Sequence, residues 1–384
     1  MTTDKTVTLA QSRKSQSRKT STSSSEERSV VGDPGGLVFS ECRRRLELDL
    51  MHCWSTTTYK SLCSVPEDHH YMQLILPQEA LRYDFLMNGI FVASALHRVT
   101  MVPEPEARQY YNTAMELYDR ASRSFRTHLG KMSPETHHML YMFSSLAAFI
   151  NIAFSQCNFT DGDELNTLST VAVAFDLLNG SVNIAQADFE RLLESPVPVR
   201  AYLSYGTARC DMLDPDTQGA LARLEILNEI YHSYRYKGST PLSPDDASGA
   251  NTQRSGSPPI PVTPWSTAVG LLRRCFAEDL RGVFRGFCFV FPGAAGPDFT
   301  AAVKTADPMA LMILMHWTVL LGRAQGEYWW AKDLGPRLAV GIWKAMQLIA
   351  LSPSASPIML SPEWAQSIDW VCSKLCIPVF GHGC

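Results

Sequence analysis

Phe85-Leu86-Met87-Asn88-Gly89-Ile90-Phe91-Val92-Ala93-Ser94-Ala95-Leu96-His97 decides the fold. Phe85, Ile90, Ala93 and Leu96 fall on one face only if the segment is an α-helix, because a strand would need strict alternation of apolar and polar residues. The same period runs through Leu46, Leu50, Cys53 and Trp54 upstream, and through Ala114, Leu117, Ala121 and Phe125 downstream. Hairpin turns and regular alternation are scarce. The chain therefore reads as all-α, with about ten helices and no substantial sheet.

Helix starts are marked by a repeated device. Ser133-Pro134, Asp307-Pro308 and Ser361-Pro362 each place a capping side chain before a proline. The side-chain oxygen accepts from free backbone N–H groups, and proline has no N–H to lose at the first helical position. Glu135 and Glu363 follow, where the helix dipole favours negative charge.

Two regions break the pattern. Residues 1–36 read as a disordered, basic Ser/Thr-rich tail with Arg13, Lys14, Arg18 and Lys19, ending in the breaker Asp33-Pro34-Gly35-Gly36. Residues 238–264, which end in Ser257-Pro258-Pro259-Ile260-Pro261, read as a flexible Pro/Ser/Gly linker inside a helical domain spanning 37–384. No fixed-period repeat is present, which argues against a solenoid.

In 384 residues, 45% are hydrophobic and 19% charged, so a large core is available. The net charge of −4 lacks the basic excess of an autonomous nucleic-acid binder. The first residues carry no apolar signal segment. The longest apolar stretches, Met139–Phe154 and Met309–Leu321, are interrupted by Ser144, Ser145, Asn151 and His316. They read as buried helices too short to span a membrane. Ten cysteines without a signal segment read as reduced thiols of the cytosol or nucleus. The sequons at Asn158 and Asn179 are then incidental.

No nucleophile elbow, P-loop, G-x-G-x-x-G turn or H-E-x-x-H helix occurs, so no catalytic residue and no cofactor is assigned. His69-His70 and His137-His138 are adjacent and diverge on a helix; Cys372 and Cys376 make only half of a structural zinc site. Asp245-Asp246 lies in the linker. No metal site is assigned. The chemistry that remains is apolar. Met312, Met315, His316 and Trp317 occur close together, followed by Tyr328-Trp329-Trp330, Trp343 and Met346. Core packing accounts for this content. The sharper reading is a pocket for an apolar guest lined by Met312, Met315, His316, Trp317 and Trp329, with one of the paired tryptophans facing it.

Several segments, taken in order, resemble the C-terminal regulatory domain of fungal zinc-binuclear-cluster (Zn2Cys6) transcription factors of the sterol-uptake-control type. Leu46 to Thr58 is similar to that family's opening helix, and Phe85 to His97 to its "hxLLxxhhAhSALH" helix. Phe175-Asp176-Leu177-Leu178-Asn179-Gly180 stands where the family has "hxLLRG", with Asn179 in place of arginine. Asp307-Pro308-Met309-Ala310-Leu311, and Tyr328-Trp329-Trp330 followed by Gly335, continue the likeness, which covers about residues 41–376. It implies an all-helical domain that senses a sterol or similar apolar metabolite and controls transcription in the nucleus, as a homo- or heterodimer. The target would be a sterol, lipid or secondary-metabolite pathway. The family's six-cysteine DNA-binding cluster has no counterpart before Cys42, so DNA contact is expected to be weak or through a partner. The rival expectation is a helical binding or interaction protein without direct DNA contact; a helical enzyme would need a carboxylate or metal constellation facing one cavity.

Overall fold

The computed structural model describes residues 34–157, 164–237, 264–352 and 356–378. Among these residues there is no strand, and the fold is all-α. The helices are α1 (Pro34–Thr56), α2 (Pro66–His70), α3 (Leu76–Ala80), α4 (Asp84–Val99) and α5 (Glu106–Leu129). There follow α6 (His137–Gln156), α7 (Glu164–Ala187), α8 (Phe189–Glu194), α9 (Val199–Ser204) and α10 (Pro215–Lys237). The last five are α11 (Ser266–Arg281), α12 (Phe291–Lys304), α13 (Pro308–Arg323), α14 (Leu334–Ala350) and α15 (Pro362–Leu375). The count exceeds ten because α2, α3, α8 and α9 have only five or six residues each. That is too short for a hydrophobic period to register.

The chain divides into two units, Met1–Arg45 and Leu46–Cys384, so the boundary falls inside α1. In the first, Arg45 pairs with Glu41 one turn back at 2.6 Å. The expected tail ends earlier than 36: α1 begins at Pro34, and Gly35 and Gly36 lie in its first turn, where proline is tolerated. The rest of that tail, and all of the linker except Pro264, lies outside the described residues.

In the second unit α4 packs on α5 and α6, α6 on α7, and α7 on α12 and α14. α13 is enclosed by α11, α14 and α15. Every residue from Met309 to Leu321 on α13 is buried, which removes an apolar surface worth about 1.5–3 kcal/mol for each large side chain. α13 and α14 approach so closely that a β-carbon on Gly335 would sit 2.7 Å from the Thr318 carbonyl oxygen and from the Gly322 nitrogen. Glycine is the residue that this crossing accepts.

Two of the three capping devices work as read. Asp307 accepts from the Met309 and Ala310 backbone N–H groups, and its other oxygen accepts from Tyr231 Oη at 2.7 Å. Ser361 accepts from Trp364 N–H at 3.2 Å. The third starts its helix later. Ser133 Oγ is turned to Glu135, its N–H donates to Thr136 Oγ1, and α6 begins at His137.

The expectation that no segment reaches membrane-spanning length is corrected. His137–Gln156 and Leu165–Ala187 are each long and apolar enough to cross a membrane, and Phe287–Lys304 with Pro308–Arg323 pass that test together across a 119° bend. Helix α6 outruns its apolar stretch at both ends, and the scattered Asn, Ser and Asp residues of α7 hide its apolar length in the sequence. Both pack on other helices in this fold: no position of α6 is exposed, and the exposed positions of α7 include Asn166, Ser169, Asp176 and Asn183. Asp176 pairs there with Lys304.

Candidate functional site

The site grows from the turn that follows α1. The 3₁₀ turn Thr58–Leu62 follows α1, which Trp54 holds to the Tyr71–Ile75 segment by donating from Nε1–H to the Met72 carbonyl at 2.8 Å. Thr58 is fully buried, and its hydroxyl shares a 3.0 Å hydrogen bond with His97 Nδ1 on the last turn of α4. His97 in turn lies flat on Trp329, with ring centroids 4.6 Å apart and planes 9° apart. Trp329 belongs to a second 3₁₀ turn, Trp329–Ala331, and its Nε1–H donates to Ser61 Oγ at 2.9 Å. Ser61 Oγ donates back to the Thr58 carbonyl at 2.9 Å, which closes the ring of contacts.

Burial, then the charge of Arg98, pull the His97 imidazole down to about 4. At neutral pH it stacks on Trp329 as an uncharged ring. Arg98 itself donates to Asp49, which also accepts from Tyr110 Oη at 3.2 Å, so α1, α4 and α5 are joined beside the stack.

Trp330 is fixed by the same serine: its Nε1–H donates to the Ser61 carbonyl at 3.3 Å. Its ring packs against Phe149 and Phe289 at 4.8 and 4.6 Å. Gly286 allows this corner to close. It holds φ at +66°, and a β-carbon there would meet Tyr328 Oη at 2.8 Å. Between α4, α6 and the Trp329 turn lies a small apolar recess, open to solvent, whose enclosed part is only about 10 Å³. It is lined by Leu62, Ala93, Leu146, Phe149, Ile150, Ala153, Trp329 and Trp330. A cavity needs roughly 10–15 Å³ to hold one water, so the recess as it stands is a shallow notch, and a larger apolar group would have to open it.

The five residues expected to share a pocket fall in two places. Met312, Met315, His316 and Trp317 are buried on α13, and none of them lines the recess. His316 Nδ1 is bonded to the Met312 carbonyl at 2.9 Å, and its ring stacks on Trp370. Trp317 donates to the Cys288 carbonyl at 2.8 Å and meets Phe175 edge-on. Trp329 alone of the five reaches the recess, and Trp330 joins it there. The expectation that only one of the two tryptophans faces a cavity is therefore corrected, because Ser61 draws both indoles to the same corner. Ser61, Thr58 and Phe149 carry no signal in sequence for this role. His97, at the end of the Phe85–His97 motif, is the residue that marks it.

The remaining candidates are engaged structurally. His137 Nε2 contacts the Ile184 carbonyl at 2.6 Å, His138 pairs with Glu79 at 3.2 Å, and His69 meets Tyr59 edge-on. Cys372 is buried while Cys376 is exposed in a left-handed C-cap. The thiols of Cys63, Cys157 and Cys275 are each pushed up to about 12, chiefly by burial, which keeps them protonated and weakly nucleophilic. Among the described residues no three His, Cys, Asp or Glu side chains gather to hold a metal. No protein-family model matches the chain, and no curated protein matches it.

Proposed function

We propose that the chain is the regulatory and sensing domain of a nuclear transcriptional regulator, of the kind its segments resemble, and that it acts by binding rather than by catalysis. One observation carries the reading. Three of the segments that resemble that family, Leu46–Thr58, Phe85–His97 and Tyr328–Trp330, are far apart in sequence yet meet at the Thr58–His97–Trp329 contact.

In this reading the recess beside Trp329 takes an apolar group, and the occupied state alters contacts with a partner or a second copy. DNA contact is weak or goes through that partner, the chain spans no membrane, and the regulated pathway is one of sterol, lipid or secondary metabolism. The apolar recess equally favours a binding protein without a transcriptional role, and one experiment separates the two. The tagged full chain is expressed in a fungal cell, and its chromatin occupancy is mapped. Reproducible enrichment at discrete promoters is the expected result. A nuclear-excluded protein, or occupancy no higher than an untagged control, overturns the transcriptional reading and leaves the plain binding protein.

A further inference from the structure

The enclosed part of the recess beside Trp329, about 10 Å³, holds no more than one water, so any larger guest has to move a wall. Five of the eight lining residues, Ala93, Leu146, Ile150, Ala153 and Trp330, are buried. The first four stand on α4 and α6, and moving them means parting two long, packed helices. Trp330 is held by the Ser61 carbonyl and by the rings of Phe149 and Phe289. Phe149 is itself on α6, and Leu62 follows Ser61 in the turn that anchors both indoles.

Trp329 is the wall that differs. It is half-buried on a 3₁₀ turn of three residues, and Gln325, Gly326 and Glu327 just before it are exposed. Its indole is fastened through Nε1–H to Ser61 Oγ and through its face to His97. Those two contacts also define what the indole would vacate. One wall of that slot is the flat His97 ring, parallel to the indole within 9°. Ala93, one turn earlier on α4, carries the same wall into the recess. The rim presents Ser61 Oγ, which already donates to the Thr58 carbonyl and so offers the slot an acceptor.

We propose that Trp329 is the gate of the recess: its indole swings outward, and a flat bicyclic arene with one N–H or O–H donor takes its place on His97, its donor on Ser61 Oγ and its apolar edge toward Ala93. This inference rests on the reading that the recess takes an apolar group, and it adds the class of that group and the side chain that admits it. The closed gate lowers the apparent affinity of the guest, because only the open fraction binds.

The test titrates unlabelled indole into the ¹⁵N-labelled full chain and follows the tryptophan Nε1–H resonances. That of Trp329 is identified by its absence from Trp329→Phe. Indole is expected to move the Trp329 resonance to the position of a solvated indole with faster water exchange, while Trp330 keeps its bonded position. Trp329→Ala, or Trp329→Leu if that variant does not fold, binds indole at least about 5-fold more tightly, because neither the hydrogen bond nor the stack has to break first. 1-Methylindole, which lacks the donor, binds about 2- to 10-fold more weakly than indole. Indole binding that leaves the Trp329 resonance in place, equal affinity in the parent and the gate variant, equal affinity for 1-methylindole, or no binding to either protein overturns the proposal. None of these results alters chromatin occupancy, so the gate and the transcriptional reading fail separately.

Discussion

Two stretches that look alike in sequence behave differently in the fold. Met309–Trp317 and Tyr328–Trp330 are both dense in methionine, histidine or tryptophan. On α13 every such side chain is buried, and two polar groups turn back on their own helix: His316 to the Met312 carbonyl and Thr318 to the Met315 carbonyl. Around Trp329 the ring is only half-buried, and the hydrogen bonds cross from one element to another, to Ser61 and between His97 and Thr58. The first pattern is that of a core held by packing. The second is that of a corner held by a few directional contacts beside open space. Aromatic and methionine content measures how apolar a segment is; whether room is left beside it depends on what packs there.

The largest expected effect separates the two by packing alone. Met312→Ala on α13 leaves a cavity that its neighbours cannot fill, at a cost of about 2–5 kcal/mol in urea unfolding. Trp329→Ala removes a larger side chain, yet part of that ring is already in water, so the loss is smaller than that of Met312→Ala. A Trp329→Ala loss that exceeds the Met312→Ala loss breaks the comparison.

Acid should strain the core more than the corner. The buried His316 has a folded value of about 4 against about 6.5 in an unfolded chain, so between these values the unfolded state holds more protons. Its contribution is fully present above pH 6.5, declines as the pH falls, and is gone near pH 4. Over that window it amounts to roughly 3 kcal/mol. His97 shifts in the same direction, but solvent reaches its half-buried ring, so its share is smaller. Denaturant midpoints measured from about pH 7 to pH 4 should fall steeply, and His316→Phe should flatten that fall more than His97→Phe does. Equal slopes in the two variants would mean that the rings are equally shielded.

What sequence can disclose follows the range of the interactions. The caps at Asp307 and Ser361 are legible because donor and acceptor lie within three residues, and the α4 face is legible because its period is local. Ser133-Pro134 misleads, since Thr136 competes for the same turn and α6 starts after it. The corner is half legible: Trp329 stands out by composition, whereas its partner Ser61 is 268 residues away and is an ordinary serine by any local measure. The α13 residues stand away from the recess for the converse reason. Met312 and His316 are neighbours on a helix surface, as their spacing requires, but the surface they share is covered by other helices.

The smallest effect probes the corner most directly. Ser61 Oγ accepts from Trp329 Nε1–H and donates to the Thr58 carbonyl, so Ser61→Ala removes both bonds and leaves the Ser61 carbonyl, which accepts from Trp330 Nε1–H, to tie the two 3₁₀ turns together. A net loss of about 1 kcal/mol is expected, because each hydrogen bond is exchanged for one with water and Trp329 is already half in solvent. The more telling change is local. Freed from Ser61 and left only its stack on His97, the Trp329 indole should gain solvent exposure, read as a red shift and easier iodide quenching of tryptophan emission. If the recess takes an apolar guest, sterols or single-chain lipids raise the melting temperature of the intact chain through preferential binding to the folded state. That rise should weaken in Ser61→Ala, where a wall of the recess has loosened, and persist at the same size in Met315→Leu, which keeps the α13 core full. A response that follows Met315 rather than Ser61 would move the guest into α13 and reverse the assignment of the two regions.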